Sequence, residues 1–152
     1  MTLRQLRPVE HGTFTPNAVL VAVDCSRTSL RAVDYAAGQA RRNTVGLVGV
    51  YVRRSNGLSL SVPGLWSYCA AVEDQIAAEA EQYLAECCRG AGLPYGFAVL
   101  DGTPARQIRR LADDLRASAL VVGASERSAH RVYGSLAVTL ARTADRPVII
   151  VP

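Results

Sequence analysis

The strongest fold signal in this 152-residue chain is the segment Ala119-Leu-Val-Val-Gly-Ala-Ser-Glu-Arg-Ser-Ala-His-Arg-Val-Tyr-Gly-Ser135. It begins with an aliphatic run, breaks at Gly123, crosses a polar and basic loop, and reaches Gly134-Ser135, where a helical pattern begins. A buried strand that leads through a glycine loop into a helix is how α/β proteins present backbone N–H groups to phosphate. The spacing fits equally well a glycine that only ends a strand and a serine that only caps a helix. We therefore treat this segment as the centre of the fold and as a candidate binding loop.

The same alternation of strands and helices continues along the rest of the chain. Continuous apolar runs, typical of strands buried on both faces of a parallel sheet, cover residues 17–24, 45–52, 95–100, 119–123 and 148–151. Helical periodicity covers residues 30–40, 67–89, 104–115 and 135–143. The β-α-β-α-β-α-β-α-β order predicts an α/β fold with a parallel sheet and helices on both faces. Residues 17–152 are expected to form one domain, preceded by a flexible lead-in over residues 1–16.

Composition excludes several classes of protein. The net charge of +4 comes from 17 basic and 13 acidic residues that are dispersed, so no nucleic-acid-binding tail is predicted. No apolar run reaches the length of a membrane span, and the first residues lack the apolar core of a signal peptide. The four cysteines form no C-x-x-C pair, which argues against a zinc site and indicates reduced thiols. We expect a cytoplasmic protein with neither a nucleic-acid partner nor a membrane partner.

Two residues near the ends of the first predicted strands join the loop as candidates. Asp24 ends the first predicted strand, and Val50 lies near the end of the second. Ligands of open parallel sheets bind at the carboxyl ends of strands, so Asp24, Val50 and Gly123 are expected to share one crevice. There Asp24 would lie beside a base, a ribose or a metal ion. It equally fits a cap that accepts hydrogen bonds from the backbone of Ser26 or Thr28, and the two roles are compatible.

No set of residues predicts efficient catalysis. Cys25 follows Asp24, whose charge raises a thiol pKa, and no histidine partner is evident from the sequence. His130 lies in the polar loop, where a solvated side chain is the simpler interpretation. No metal ligand set and no nucleophile-elbow motif are present. The residues therefore do not indicate an efficient enzyme.

These motifs resemble those of the universal stress protein family. The matching pattern is Val21-Ala-Val-Asp24-x-Ser26, Gly102-x-Pro104-x3-Ile108, Leu120-Val-Val-Gly123 and Gly134-Ser135-x6-Arg142-x4-Pro147-Val-Ile-Ile-Val151. The resemblance covers nearly all of the chain after residue 17. It implies an open twisted five-stranded parallel sheet of strand order 3-2-1-4-5, of the adenine nucleotide alpha hydrolase-like type. It also implies a homodimer through the C-terminal strand, formed by Val148, Ile149, Ile150 and Val151, and an aliphatic edge strand does need a cover.

The resemblance further assigns a nucleotide site. The ATP-binding branch of the family carries G-x2-G-x9-G-[ST] after the fourth strand, with the first-strand Asp and a second-strand Val framing the adenosine. The matching candidate residues for ATP are Val23, Asp24, Val50, Val122, Gly123, Gly134, Ser135 and Leu136. This chain departs from the motif because Glu126 replaces the second glycine and seven residues, not nine, separate it from Gly134. A carboxylate at that place repels a triphosphate unless Arg127, Arg131 or Mg²⁺ neutralises it.

The resemblance implies a dimeric stress-response or signalling module with a degenerate ATP-binding loop. Mg²⁺ is expected only together with ATP. The alternative is a slow ATPase or phosphotransferase that uses the loop over residues 123–135, with His130 and Glu126 as its candidate bases. A structural dimer that binds no nucleotide is a third interpretation.

Overall fold

A six-stranded sheet lies at the centre of the computed structural model, which describes residues 9–12, 14–53, 65–125 and 134–152. The strands are β1 (Val9–Gly12), β2 (Val19–Ala22), β3 (Leu47–Arg53), β4 (Tyr95–Asp101), β5 (Ala119–Gly123) and β6 (Val148–Val151). The helices are α1 (Arg27–Asn43), α2 (Leu65–Ala91), α3 (Pro104–Leu115) and α4 (Ser135–Thr143). The strand order is β1-β4-β3-β2-β5-β6, and β2 to β6 are mutually parallel. Without β1, the five parallel strands in the order β4-β3-β2-β5-β6 correspond to the predicted order 3-2-1-4-5, which is therefore confirmed.

The helices cover the sheet in two layers because side chains of each strand alternate between its faces. On one face, Val19 and Val21 of β2 pack against α1 and α2. On the other face, Leu20 packs against α3 and α4. The central strands are buried on both faces, which explains why their sequences are apolar without interruption.

The first strand, β1, was not predicted. Val9–Gly12 pairs antiparallel with β4, placing Val9 opposite Val99 and Gly12 opposite Gly96. We expected a flexible lead-in over residues 1–16, and the structure corrects this for residues 9–12, which extend the sheet. Four residues at an edge carry little hydrophobic pattern of their own, and their hydrogen bonds depend on a strand far along the chain.

The connection from β1 to β2 contacts the strands that it passes. Thr15 lies directly against Gly46, where a side chain at position 46 would overlap its hydroxyl. The Asn17 N–H then donates to the carbonyl of Leu115 over 3.1 Å. Phe14 packs against the core beneath α3 and α4. Residues 14–17 are thus part of the folded domain.

Candidate functional site

A cleft of about 620 Å³ opens at the carboxyl ends of β2, β3 and β5. Strands β3 and β4 lie on one side of β2, and β5 lies on the other side, so the strand order reverses at β2. The cleft lies at this reversal. This is the point at which open parallel sheets bind ligands. All eight candidate residues line this cleft: Val23, Asp24, Val50, Val122, Gly123, Gly134, Ser135 and Leu136.

Asp24 presents a charged carboxylate to the cleft. Its Oδ1 accepts hydrogen bonds from the Ser26 N–H at 3.1 Å and from the Ser26 hydroxyl at 2.6 Å. Burial acts to raise the pKa of Asp24, but the surrounding hydrogen bonds, those from Ser26 first and then those involving Ser29 and the Asp24 backbone, together outweigh it and leave the pKa below its ordinary 3.8. Both roles proposed for Asp24 are therefore compatible with its geometry, since Oδ1 holds the turn while the carboxylate still faces the cleft.

Ser26 also starts α1. Its hydroxyl accepts a hydrogen bond from the Ser29 N–H at 3.2 Å, which is the side-chain cap that a helix N-terminus needs. One hydroxyl thus orients the Asp24 carboxylate and caps the helix.

Cys25 occupies a backbone conformation that favours glycine. Its φ of 61° lies in the left-handed region, where a side chain is strained. The thiol donates to the Ile76 carbonyl of α2 at 3.5 Å. Burial, together with the charges of Glu79 and Asp24, raises the pKa of the Cys25 thiol. A thiol with a raised pKa is mostly protonated at neutral pH and is therefore a poor nucleophile.

The contact between the end of β5 and α1 leaves no room for a side chain at Gly123. A methyl group at position 123 would lie 2.6 Å from the Ser29 nitrogen and 2.6 Å from the Thr28 carbonyl carbon. The end of β5 therefore sits directly on the first turn of α1. The sequence suggested that Gly123 lets a ligand approach the backbone; the structure adds a close contact with a helix almost a hundred residues away.

Ser125 and Gly134 bring the two ends of the loop together. A methyl group at position 134 would lie 2.7 Å from the Cβ of Ser125. The predictions made for Glu126, Arg127, His130 and Arg131 concern positions outside the described residues. The loop nevertheless starts and ends at the cleft, because Ser125 and Gly134 both line it.

Helix α4 begins at the cleft with Ser135, preceded by Gly134 at the cap position. The first N–H groups of a helix have no partner within it, and the helix dipole makes this end positive. The side chains of Ser135 and Leu136 line the cleft beside these groups. Polar donors are thus available at the same place where the loop returns.

The carboxyl end of β3, which extends past the end of β2, presents the backbone N–H and C=O of Val52. The Val50 carbonyl accepts from the Val23 N–H on the β2 side, whereas the Arg53 carbonyl accepts from the Gly102 N–H on the β4 side. Alternate residues of a strand direct their polar groups to opposite neighbours, so Val52 faces the β2 side, past the end of β2. Within the described part of the chain, its N–H and C=O have no hydrogen-bond partner.

The sequence model of the universal stress protein family matches residues 16–152. This chain belongs to the universal stress protein family. A universal stress protein from Archaeoglobus fulgidus superposes with a TM-score of 0.72 and 25% identity, covering 92% of this chain and all of that one. The structure of the universal stress protein from Archaeoglobus fulgidus in complex with dAMP gives 0.68 and 25%, covering 91% and 98%. A universal stress protein in complex with cAMP gives 0.65 and 26%, covering 88% and 95%. No curated protein matches the chain.

Several residues that line the cleft of this universal stress protein were missed as site residues. Pro104 and Ile108 of α3 form an apolar wall opposite the carboxyl end of β3. Both were part of the quoted family pattern, so the signal was present. Tyr51 and Glu73 were not signalled, because their contact joins β3 to α2 across 22 positions.

Tyr51 and Glu73 form the polar end of the cleft in this universal stress protein. The Tyr51 hydroxyl donates to the Glu73 carboxylate. Burial and this hydrogen bond raise the pKa of Tyr51, which keeps the phenol protonated. The pair lines the cleft and joins β3 to α2.

Two searches of the described residues concern other kinds of site. Over residues 9–12, 14–53, 65–125 and 134–152, no three His, Cys, Asp or Glu side chains are grouped so that they could hold a metal ion. None of the helices in this described part is both long and apolar enough to cross a membrane.

Proposed function

We propose that this universal stress protein is a stress-response module that binds an adenosine nucleotide in the cleft, and that it acts in the cytoplasm as a homodimer. One observation carries the proposal: the cleft brings together a backbone donor–acceptor pair, a carboxylate and a helix N-terminus in a volume of about 620 Å³. Small-molecule sites typically measure roughly 300–1,000 Å³. The relatives in complex with dAMP and cAMP support the choice of an adenine ligand.

The Val52 backbone suits the adenine base. Its N–H donates and its C=O accepts, which complements the ring nitrogen acceptor and the exocyclic amino donor on one edge of adenine. Guanine presents a carbonyl acceptor and a ring N–H donor along the corresponding edge, so both contacts would be mismatched. Val50, Pro104 and Ile108 supply apolar contact for the ring faces.

Asp24 suits the ribose. A carboxylate accepts hydrogen bonds only, and the lowered pKa keeps Asp24 ionised at neutral pH. Ribose hydroxyls are donors, and a charged acceptor strengthens such bonds. The Ser26 hydroxyl holds the carboxylate in position before the ligand arrives.

The N-terminal end of α4 suits the phosphate. The Ser135 hydroxyl and the free N–H groups of the first turn are donors at the positive end of the helix. Mg²⁺ is proposed only with ATP, where the phosphate oxygens would supply ligands for the ion. Its role there would be to neutralise phosphate charge.

Calorimetric titration with adenosine, AMP, ATP and GMP tests the ligand. We expect AMP to bind, GMP to bind at least tenfold more weakly, and Asp24→Asn to weaken adenosine and AMP alike by roughly tenfold. Asp114→Asn is the matched control, because Asp114 is exposed on α3 and does not line the cleft. The supernatant of denatured protein is assayed for copurified nucleotide. No copurified nucleotide and no binding at millimolar AMP or ATP would refute the proposal.

The edge of β6 supports the proposed dimer. Pro147 and Val151 accept from β5 through their carbonyls, so Val148 and Ile150 direct their backbone groups away from the sheet. Side chains of β6 are only partly buried in the single chain. Ile150→Pro removes an outward N–H and is expected to give a monomer by light scattering, while Ile150→Val remains dimeric. A dimeric Ile150→Pro would place the interface elsewhere.

The alternative is a slow ATPase or phosphotransferase that uses the loop over residues 123–135. The expected observation for the binding module is a stable complex with unaltered ATP after hours of incubation. Release of ADP or phosphate that Asp24→Asn abolishes would favour the enzyme.

A further inference from the structure

Two hydroxyls at the N-terminal end of α1, those of Ser26 and Thr28, donate hydrogen bonds to residues that line the cleft. At one end, the Ser26 hydroxyl donates to the Asp24 carboxylate over 2.6 Å. At the other, the Thr28 hydroxyl donates to the carbonyl of Ala124 over 2.6 Å. Ala124 directly follows Gly123, at the start of the candidate phosphate loop over residues 123–135.

The two hydroxyl protons have defined destinations. A carbonyl can only accept, so the Thr28 proton must lie toward Ala124. The Asp24 carboxylate, whose pKa is lowered, also only accepts, so the Ser26 proton lies toward Asp24. The 3.4 Å between the Ser26 and Thr28 oxygens is therefore a contact and not a shared hydrogen bond. The two hydroxyls act separately, on different parts of the cleft.

Thr28 acts on the loop without reaching the ligand space. Ser26, Ala124 and Ser125 line the cleft, whereas Thr28 does not. The end of β5 also packs closely against Thr28, because a methyl group at position 123 would lie 2.8 Å from the Thr28 hydroxyl oxygen. Thr28 thus contacts the loop from behind.

We propose that Thr28 is a positioning residue that sets the start of the loop for the phosphate of the ligand. Its counterpart Ser26 sets Asp24 for the ribose. This inference rests on the proposed nucleotide function. Substitution of Thr28 should therefore affect binding of the phosphate, whereas substitution of Ser26 should affect binding of the ribose.

The test compares adenosine with AMP in wild type, Thr28→Val, Thr28→Ser and Ser26→Ala by calorimetry. Thr28→Val keeps the side-chain shape, loses the donor and is expected to weaken AMP roughly five- to tenfold while leaving adenosine within about twofold. Thr28→Ser restores the donor and the AMP affinity. Ser26→Ala weakens both ligands by a similar factor. Thr143→Val is the control, since that threonine donates to the Thr139 carbonyl at 2.7 Å outside the cleft.

Amide hydrogen exchange of the ligand-free protein gives a second readout. Thr28→Val should speed exchange of the Ala124 N–H, which donates to the Val151 carbonyl at 2.7 Å, and leave the Ser26 N–H unchanged. Equal losses of adenosine and AMP affinity in Thr28→Val, or no loss of either, would overturn this inference alone. A wild-type protein that binds neither ligand would overturn the proposed function and this inference together.

Discussion

Gly123→Ala tests whether β5 must contact the first turn of α1. The added methyl group would lie 2.6 Å from two backbone atoms, the Ser29 nitrogen and the Thr28 carbonyl carbon. Ordinary van der Waals contact begins at 3.4 Å, so a gap of about 0.8 Å must open between strand and helix. Backbone atoms of a capped helix cannot rotate aside as the tip of a flexible side chain can.

The expected loss of stability is near the upper end for overpacking. Inserted methyl groups in packed cores cost about 1–3 kcal/mol, and a backbone clash favours about 2–3 kcal/mol here. For a chain of this size, that lowers the melting temperature by roughly 4–12 °C. The Thr28–Ala124 hydrogen bond crosses the same contact and should lengthen with it.

Urea unfolding of the ligand-free protein measures the effect, with Gly90→Ala as the matched control. Gly90 lies in α2 with no atom within 4 Å of an added methyl group. Because Gly90 is the penultimate residue of α2, alanine there should stabilise the protein by at most about 0.5–1 kcal/mol, the value for helix interiors. If Gly123→Ala loses less than about 0.5 kcal/mol yet no longer binds AMP, the α1 contact is not the reason for the glycine.

Three further predictions follow from the described contacts. The pKa of Asp24 is lower in the folded protein than its ordinary 3.8, so the charged carboxylate stabilises the fold above pH 3.8. In urea unfolding, the free energy of unfolding of the wild type should exceed that of Asp24→Asn above this pH, and the difference should disappear as the pH falls below it. Burial and the neighbouring Cys87 raise the pKa of Cys88 to about 12, so a thiol reagent at neutral pH should label Cys88 only after unfolding, and Cys88→Ser should leave the fast-labelling count unchanged. Backbone groups alternate in direction along β4, so the His11 N–H is directed toward β4 and the Glu10 N–H is directed outward. Proline at position 11 therefore removes a sheet hydrogen bond, and His11→Pro should reduce the unfolding free energy by about 1–3 kcal/mol more than Glu10→Pro. Equal losses would contradict the pairing of β1 with β4.

The order of elements followed from local sequence. The run Ala119–Gly123 and the helix Ser135–Thr143 have the predicted limits, because an uninterrupted apolar run marks the buried strand and apolar residues four positions apart mark the helix. The limits of α3 and β6 also match the prediction, whereas those of the other predicted elements differ by a few residues; α1, for example, begins at Arg27 and not at residue 30. There the Ser26 cap, which depends on side-chain geometry, determines the start.

The composition of the cleft also followed from sequence, by way of topology. Parallel strands bring their carboxyl ends to one edge, so Asp24, Val50 and Gly123 meet however far apart they lie in the chain. The family pattern added Gly134 and Ser135. Once alternation predicts a parallel sheet, a site at that edge requires no further knowledge of side-chain packing.

Sequence by itself thus determined the five parallel strands, the four helices, their order along the chain and the sheet edge at which the cleft lies. Only the tertiary structure decided which atoms meet there: the contact of Gly123 with α1, the hydroxyl of Thr28 on Ala124, and the pairing of β1 with β4. Periodicity is a property of neighbouring residues, and it reports burial. These contacts join segments about 85 to 95 residues apart, and their distances are set by how whole elements pack, which no local pattern encodes.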